Sequence, residues 1–508
     1  MESTFPQRPL KICMVASEVV PLAKTGGLAD VVGALAVECA SLGHDVAVVL
    51  PAYRQVDALG YEMADLCTLS IAIGDGMLDA RIQEVFVPTL RVSGPGRLRI
   101  FLVRHDPFFS RSGLYQEAGC DYPDNLERFV LFSRSVMELL LHLHGTEQWQ
   151  TDLLHLHDWQ ASLCAVYLRN LYHEQPSLSC TRSVLTIHNL GYQGLFPAEQ
   201  FPVTGLPGSL FTPAALEFYG RVNVLKGGLV FADRLTTVSP TYSQEIQTAE
   251  YGCGLEGVIT ERKSVLSGIV NGIDADLWNP MTDHYLPAPY TSADLTGKAR
   301  CKQALQRELG LRVLKGPLLA VIARLTSQKG IDLVIDIVPE LMALNVQIVI
   351  LGTGDPLYER QVRELGERYP GRVAVRNVFD EGLAHRIEGG ADMFLMPSRY
   401  EPCGLSQLYS LRYGTVPIVR KTGGLADTVV GYTPTSLQES RATGFTFTDT
   451  NSTSLLTAVL LALSVYRKKA DWQRLIKAGM EQDLSWTRSA SIYIQLFQEL
   501  VSGERTGT

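Results

Sequence analysis

The chain has 508 residues, of which 46% are apolar and 19% charged, and a formal net charge of −8. That length exceeds one ordinary hydrophobic core and points to two domains, while the apolar fraction excludes a mostly disordered chain. The mildly acidic balance offers no broad basic surface for nucleic acid or anionic lipid, so an anionic ligand has to meet a local cluster of Lys and Arg.

No apolar stretch approaches the roughly 18 residues of a spanning helix. The best, Leu455 to Val465, is interrupted by Thr457 and Ser464. The opening MESTFPQRPLKI has no signal-peptide core, and nine Cys without a C-x-x-C pair read as reduced thiols. A soluble cytoplasmic α/β protein is expected, without a membrane or nucleic-acid partner.

In chain order, β-branched runs alternate with helical patterns, the signature of parallel sheets covered by helices. The first strand is predicted at Leu10 to Ser17. A helix over Gly27 to Ser41 follows, closed by Gly43, and a strand over Val46 to Leu50. Leu126, Phe129, Val130, Val136, Met137 and Leu140 recur at three- and four-residue spacing and predict a helix over Asp124 to His144. Further strands are predicted at Leu153 to His157, Val184 to His188, Leu235 to Val238 and Val265 to Val270. A second series has strands at Leu318 to Ala323, Val346 to Leu351, Val373 to Asn377, Ala391 to Met396 and Val416 to Val419, with a helix over Ile331 to Leu344. Between the series Asn279 to Gly297 is polar and aperiodic, so the linker is placed near residues 271 to 280. A last helical pattern covers Ile492 to Leu500.

One heptapeptide occurs twice, once per series: Lys24-Thr-Gly26-Gly27-Leu-Ala-Asp30 returns unchanged as Lys421 to Asp427. Gly-Gly before a helix can be a tight turn only; the sharper reading is that both copies present backbone N–H groups and a helix N-terminus to a polar ligand.

Arg324-Leu-Thr-Ser-Gln-Lys329-Gly330 directly follows a strand, where open α/β sheets bind ligands, and its two cations can bracket a diphosphate. Ser398-Arg-Tyr-Glu401-Pro-Cys403-Gly404-Leu405-Ser406 follows another strand and places Glu401 at its carboxyl end. As a helix-dipole partner Glu401 has an equally good structural role. His155-Leu-His157-Asp158-Trp159 and Thr186-Ile-His188-Asn189 close two strands of the first series. A metal site there lacks a third clear ligand, and Asp274-Ala-Asp276 is a short motif in a turn-like stretch. Gly352-Thr-Gly354 lacks the third Gly of a dinucleotide fingerprint, which disfavours a nicotinamide oxidoreductase.

Together, KICMVASEVVPLAKTGGLADVVGAL, HLHDWQ, TIHNLGYQG, VSPTYSQEI, GIVNGIDADLWNP, ARLTSQKG and PSRYEPCGLSQLYSLRYGTVPIVRKTGGLADTV closely resemble the bacterial glycogen synthases and plant starch synthases over nearly the whole chain. The resemblance implies an α/β GT-B architecture: two Rossmann-like domains, 1–272 on the acceptor side and 273–508 on the nucleotide-sugar side, with a deep inter-domain cleft. The last helix, about 487–502, is expected to pack back on the N-terminal domain. It implies a glycogen synthase, a retaining hexosyltransferase moving glucose from ADP-glucose to the non-reducing end of an α-1,4-glucan, with glycogen as acceptor and no metal or other cofactor.

Carried over residue by residue, the resemblance gives Lys24, Gly26, Gly27 and Asp30 to donor binding, and Arg324 and Lys329 to the donor phosphates. Glu401 lies beside the transferred glucose, with Cys403, Gly404, Leu405 and Ser406 lining the sugar and phosphate side. His188 contacts that glucose, Asp158 matters for activity, and Asn271 lies near the donor. Lys421 receives no role. Gln160 departs from members that carry His there, and about nine residues before the first strand form a short tail. The rival readings are a UDP-glucose-dependent or small-acceptor GT-B enzyme and a catalytically inactive glucan-binding protein.

Overall fold

The computed structural model describes residues 8–503. Residues 1–7, most of the expected tail, lie outside it. The chain divides into two compact units. Unit 1 takes the chain through Val238, then Ser243–Ile269 and the segment from Trp486 onward; unit 2 takes Ser239–Tyr242 and Val270–Ser485.

The main sheet of unit 1 has nine strands: Lys11–Val15 (β1), Asp45–Pro51 (β2), Met63–Ile73 (β3), Gly76–Val85 (β4), Arg97–Arg104 (β5), Leu153–His157 (β6), Arg182–Ile187 (β7), Arg234–Thr237 (β8) and Leu266–Gly268 (β9). Their order is β9-β8-β7-β6-β1-β2-β5-β4-β3. All pairs from β9 to β5 are parallel; β4 and β3 extend the sheet antiparallel. The central strands β1, β6 and β7 are buried almost throughout, because helices cover both faces of a parallel sheet. The helices that matter to the site are Gly27–Ser41 (α1), Asn125–Glu147 (α2) and Asp158–Asn170 (α3).

Strands β3, β4 and β5 were not foreseen. Their exposed faces break the apolar run that marks the buried strands. The one local signal was the two-residue Gly74-Asp75 hairpin, with Gly74 at φ +54° and Ile73 paired to Gly76.

Unit 2 has six parallel strands, Leu318–Ile322 (β10), Gln347–Leu351 (β11), Val373–Arg376 (β12), Met393–Met396 (β13), Val416–Arg420 (β14) and Phe445–Phe447 (β15), ordered β12-β11-β10-β13-β14-β15. Alternate residues fill two separate cores. Leu319, Val321, Ile348 and Ile350 join one, and Leu318, Ala320, Val349 and Leu351 the other. Its site helices are Ile331–Met342 (α4), Ser406–Arg412 (α5) and Gly423–Thr428 (α6). The polar stretch after residue 278 is anchored on this unit. Trp278 stacks between His385 and Tyr409, with ring centroids 3.8 and 3.6 Å away, and the Tyr290 hydroxyl donates to the Tyr413 carbonyl at 2.8 Å.

The C-terminal helix Trp486–Ser502 packs on α1 and β6 of unit 1. Tyr493 and Phe497 lie 5.4 and 5.2 Å from the His155 ring, and Thr487 donates to Glu38 at 3.1 Å. Among the described residues no helix is long and apolar enough to cross a membrane.

Candidate active site

In unit 1, the candidate residues gather at the carboxyl ends of β1, β6 and β7. The loop after β1 is tied by Glu18, a buried carboxylate. It accepts from the backbone N–H of Thr25, from the Thr25 hydroxyl at 2.6 Å, from the Gly26 N–H at 3.2 Å and from the Tyr115 hydroxyl at 2.7 Å. This clamp presents Lys24 through Gly27 at the surface, where α1 begins with no side-chain cap. A Cβ on Gly26 would meet nothing within 4 Å. An uncapped first turn on a 15-residue helix is suited to a phosphate. Lys24 donates to Asp30 at 2.8 Å, so Asp30 orders the lysine beside that turn. Glu18 was overlooked in the sequence because its importance is a matter of burial and partners.

Asp158 opens α3 at φ +56°, a left-handed backbone costly for a side-chain-bearing residue. Its carboxylate accepts from the His188 N–H at 2.7 Å and from the Asn189 N–H, pinning the loop after β7. Burial pushes its pKa up to about 7, against the opposing pull of those two N–H groups. His188 is thereby held from behind, and its Nε2 lies 2.9 Å from His157 Nδ1. Burial lowers the His188 pKa to about 3, so its ring is neutral. The next loop runs over Trp159: Gly194 sits at φ +64°, and a Cβ there would strike the indole at 2.5 Å.

In unit 2, the two loops singled out for chemistry meet. Glu401 is buried, and its Oε2 accepts from the Lys329 ammonium at 2.5 Å and from the Ser398 hydroxyl at 3.0 Å. The meeting depends on Gly330, which caps α4 at φ +67°; a Cβ there would lie 2.2 Å from the Pro397 carbonyl oxygen. Arg324 is exposed at the end of β10, with its guanidinium 3.5 Å from Gln328 Oε1.

Beyond Glu401 the chain turns through Gly404, at φ +74°, into the seven-residue α5 that starts at Ser406. Leu405 packs on the cluster around Trp278 and Leu408. The Cys403 thiol, pushed up to about 12 by burial, faces both the N–H and the side-chain amide of Asn271. That leaves Asn271 Oδ1 buried with no hydrogen-bond partner among the described residues. A lone buried acceptor of this kind is costly unless a ligand completes it.

The second heptapeptide behaves differently from the first, which corrects the expectation of two equivalent ligand-facing turns. Gly423 and Gly424 are buried, and Cβ atoms there would lie 2.0 Å from the Glu401 carbonyl oxygen and 2.2 Å from that of Cys403. The Gly424 N–H already donates to the Glu401 and Pro402 carbonyls, both at 3.1 Å. This copy buttresses the Glu401 loop instead of offering its amides.

The remaining motifs have local explanations. Asp274 Oδ1 accepts from the N–H groups of Asp276 and Leu277, each at 3.0 Å, so this Asp builds a turn. Gly352 and Gly354 allow the β11 loop to approach the end of β10, where Cβ atoms would meet the Ala323 and Leu325 carbonyls at 1.8 and 2.4 Å. His155 donates to or accepts from the Thr186 hydroxyl at 2.7 Å. Among the described residues no group of three or more His, Cys, Asp or Glu is placed to hold a metal.

Two doubly wound parallel units with charged loops at their strand ends define a class of protein, the GT-B glycosyltransferases, and comparison with solved structures agrees. The catalytic domain of starch synthase IV from Arabidopsis thaliana, bound to ADP and acarbose, superposes with a TM-score of 0.87 and 33% identity, covering 98% of this chain and 100% of that one. Sucrose-phosphate synthase from Thermosynechococcus elongatus shares the fold at a TM-score of 0.59 and 18% identity, covering 97% of this chain and 100% of that one. The starch synthase catalytic domain model matches residues 11–261 and the glycosyl transferases group 1 model residues 303–479. Glycogen synthase of Anaeromyxobacter dehalogenans is 46% identical over 97% of this chain and all of its own length. Glycogen synthase 1 of Methylococcus capsulatus is 45% identical over 98% of each. The chain belongs to the glycogen synthase family of hexosyltransferases.

Proposed function

We propose that this protein extends glycogen by moving glucose from ADP-glucose to the non-reducing end of an α-1,4-glucan with retained configuration. The observation that carries the reading is the Lys329–Glu401 pair: a cation suited to phosphate and a carboxylate suited to a sugar, held 2.5 Å apart.

Breaking the anomeric C–O bond builds negative charge on the departing ADP and positive charge on the glucose ring. Arg324 and Lys329 stabilise the first, and a contact of this kind is worth roughly 10²- to 10³-fold in rate. When a diphosphate draws Lys329 away, Glu401 keeps Ser398 as a donor and turns its charge to the ring. Retention by a carboxylate nucleophile needs a second carboxyl about 5 Å away. Glu401 instead has Ser398 and Lys329 against it. The acceptor hydroxyl therefore attacks from the face the ADP leaves, and a donor phosphate oxygen takes its proton. Lys24 and the open first turn of α1 bind the donor, Asn271 Oδ1 accepts a donor hydroxyl, and His188, held by Asp158, contacts the transferred glucose.

The test is ADP release from ADP-glucose by the purified protein, with and without glycogen, beside UDP-glucose. Glycogen-dependent ADP release with glucose entering the polymer is expected. Equal or greater turnover of UDP-glucose would assign a different donor, and no turnover of either by folded protein would leave a glucan-binding protein.

A further inference from the structure

Two imidazoles 2.9 Å apart through nitrogen, His157 Nδ1 and His188 Nε2, share one hydrogen bond. Both are neutral, because burial lowers the pKa of each. One nitrogen must therefore donate and the other accept, which leaves two arrangements. If His188 Nε2 donates, the His157 proton sits on its own Nε2, a fully buried atom with no hydrogen-bond partner among the described residues. If His157 Nδ1 donates, that buried Nε2 is a bare lone pair. Folded interiors leave buried N–H groups orphaned more rarely than acceptors.

The second arrangement fixes the rest. His188, accepting at Nε2, carries its proton on Nδ1. From this geometry we infer that His157 is a positioning residue: it locks His188 as the Nδ1–H tautomer, so that His188 offers a sugar hydroxyl oxygen an N–H donor. His157 cannot drift from this task. Its ring lies 4.2 Å from that of His155, which is pinned at Nε2 to Thr186 and packed by Phe497 of the C-terminal helix. A ring held by one hydrogen bond on a rigid strand end is the arrangement that sets a partner's tautomer in other histidine sites.

The inference rests on the proposed contact of His188 with the transferred glucose, and the experiment separates the two. Kinetics with ADP-glucose and glycogen are measured for H157F, which keeps a ring but no donor, and for H157N, whose amide nitrogen can stand in for Nδ1. H188A and the double variant H157F/H188A complete the cycle. H157F is expected to lower kcat roughly 10- to 100-fold with donor KM little changed, H157N to recover most of the loss, and the double variant to be no slower than H188A. Full activity of H157F, failure of H157N to rescue, or additive losses in the double variant overturns it. Near-normal turnover by H188A would instead remove the reading of the site itself. Nitrogen-15 histidine spectra of the unsubstituted protein give an answer that no folding defect can blur. His188 protonated at Nδ1 supports the inference, and protonation at Nε2 overturns it.

Discussion

At the scale of single residues, the site depends on carboxylates whose surroundings differ. Glu401 is ion-paired with Lys329, and the proposed function has its charge act on the sugar. Glu401→Gln keeps the shape and removes the charge, so kcat should fall by roughly 10²-fold or more with the fold intact; near-normal turnover in the glycogen assay would exclude its role. Asp158 is held by burial near a pKa of about 7, well above its ordinary 3.8. The folded state therefore keeps a proton that the unfolded chain gives up, and stability is lost as pH rises from about 4 through about 7. Asp158→Asn removes that dependence. Its apparent melting temperature should gain on the parent between pH 5 and pH 8, while its activity falls because an amide cannot ionise to the carboxylate that accepts from the His188 and Asn189 N–H groups. A gap that does not widen with pH would contradict this.

At the scale of elements, the two identical heptapeptides show how little a motif says about its own use. The same seven residues open the 15-residue α1 at the surface of unit 1 and the six-residue α6 beneath the Glu401 loop of unit 2. Gly26→Ala meets no atom and should change stability by less than about 1 kcal/mol while raising the KM for ADP-glucose. Gly424→Ala drives a methyl into the Cys403 carbonyl and should cost roughly 1–3 kcal/mol, read as a lower melting temperature. Reversed outcomes would exchange the roles of the copies. Gly330 is an element-scale residue of the second kind, since its missing side chain lets the Lys329 turn reach the strand end that carries Glu401.

At the scale of the whole molecule, the chain closes unit 1 with its own last helix. Phe497 is fully buried and packs on His155, the neighbour of the histidine that holds His188. Phe497→Ala should destabilise unit 1 by about 3–5 kcal/mol. In limited proteolysis unit 1 should be cleaved at a lower temperature than unit 2; simultaneous loss of both units would show that they melt as one.

Much of this was readable in the amino-acid sequence itself. The apolar runs at β1, β2, β6, β7, β10, β11, β13 and β14 are buried on both faces, so each is a continuous signal in a short window, and the spacing in α1 and α2 is equally local. Their loops put Arg324, Lys329, Glu401, Asp158 and His188 at strand ends, and the motifs taken together pointed to the family. The half-exposed strands β3 to β5 were not legible, because an open face breaks the run. Nor was the use of a group whose partner lies far along the chain. Only the tertiary structure decided that Lys329 meets Glu401 across 72 positions, that Glu18 clamps the first Gly-Gly turn, and that the second turn is a buttress. The reason is physical: a strand or helix follows from the residues inside it, whereas burial, charge pairing and the tautomer of a histidine follow from atoms that only folding brings within 3 Å.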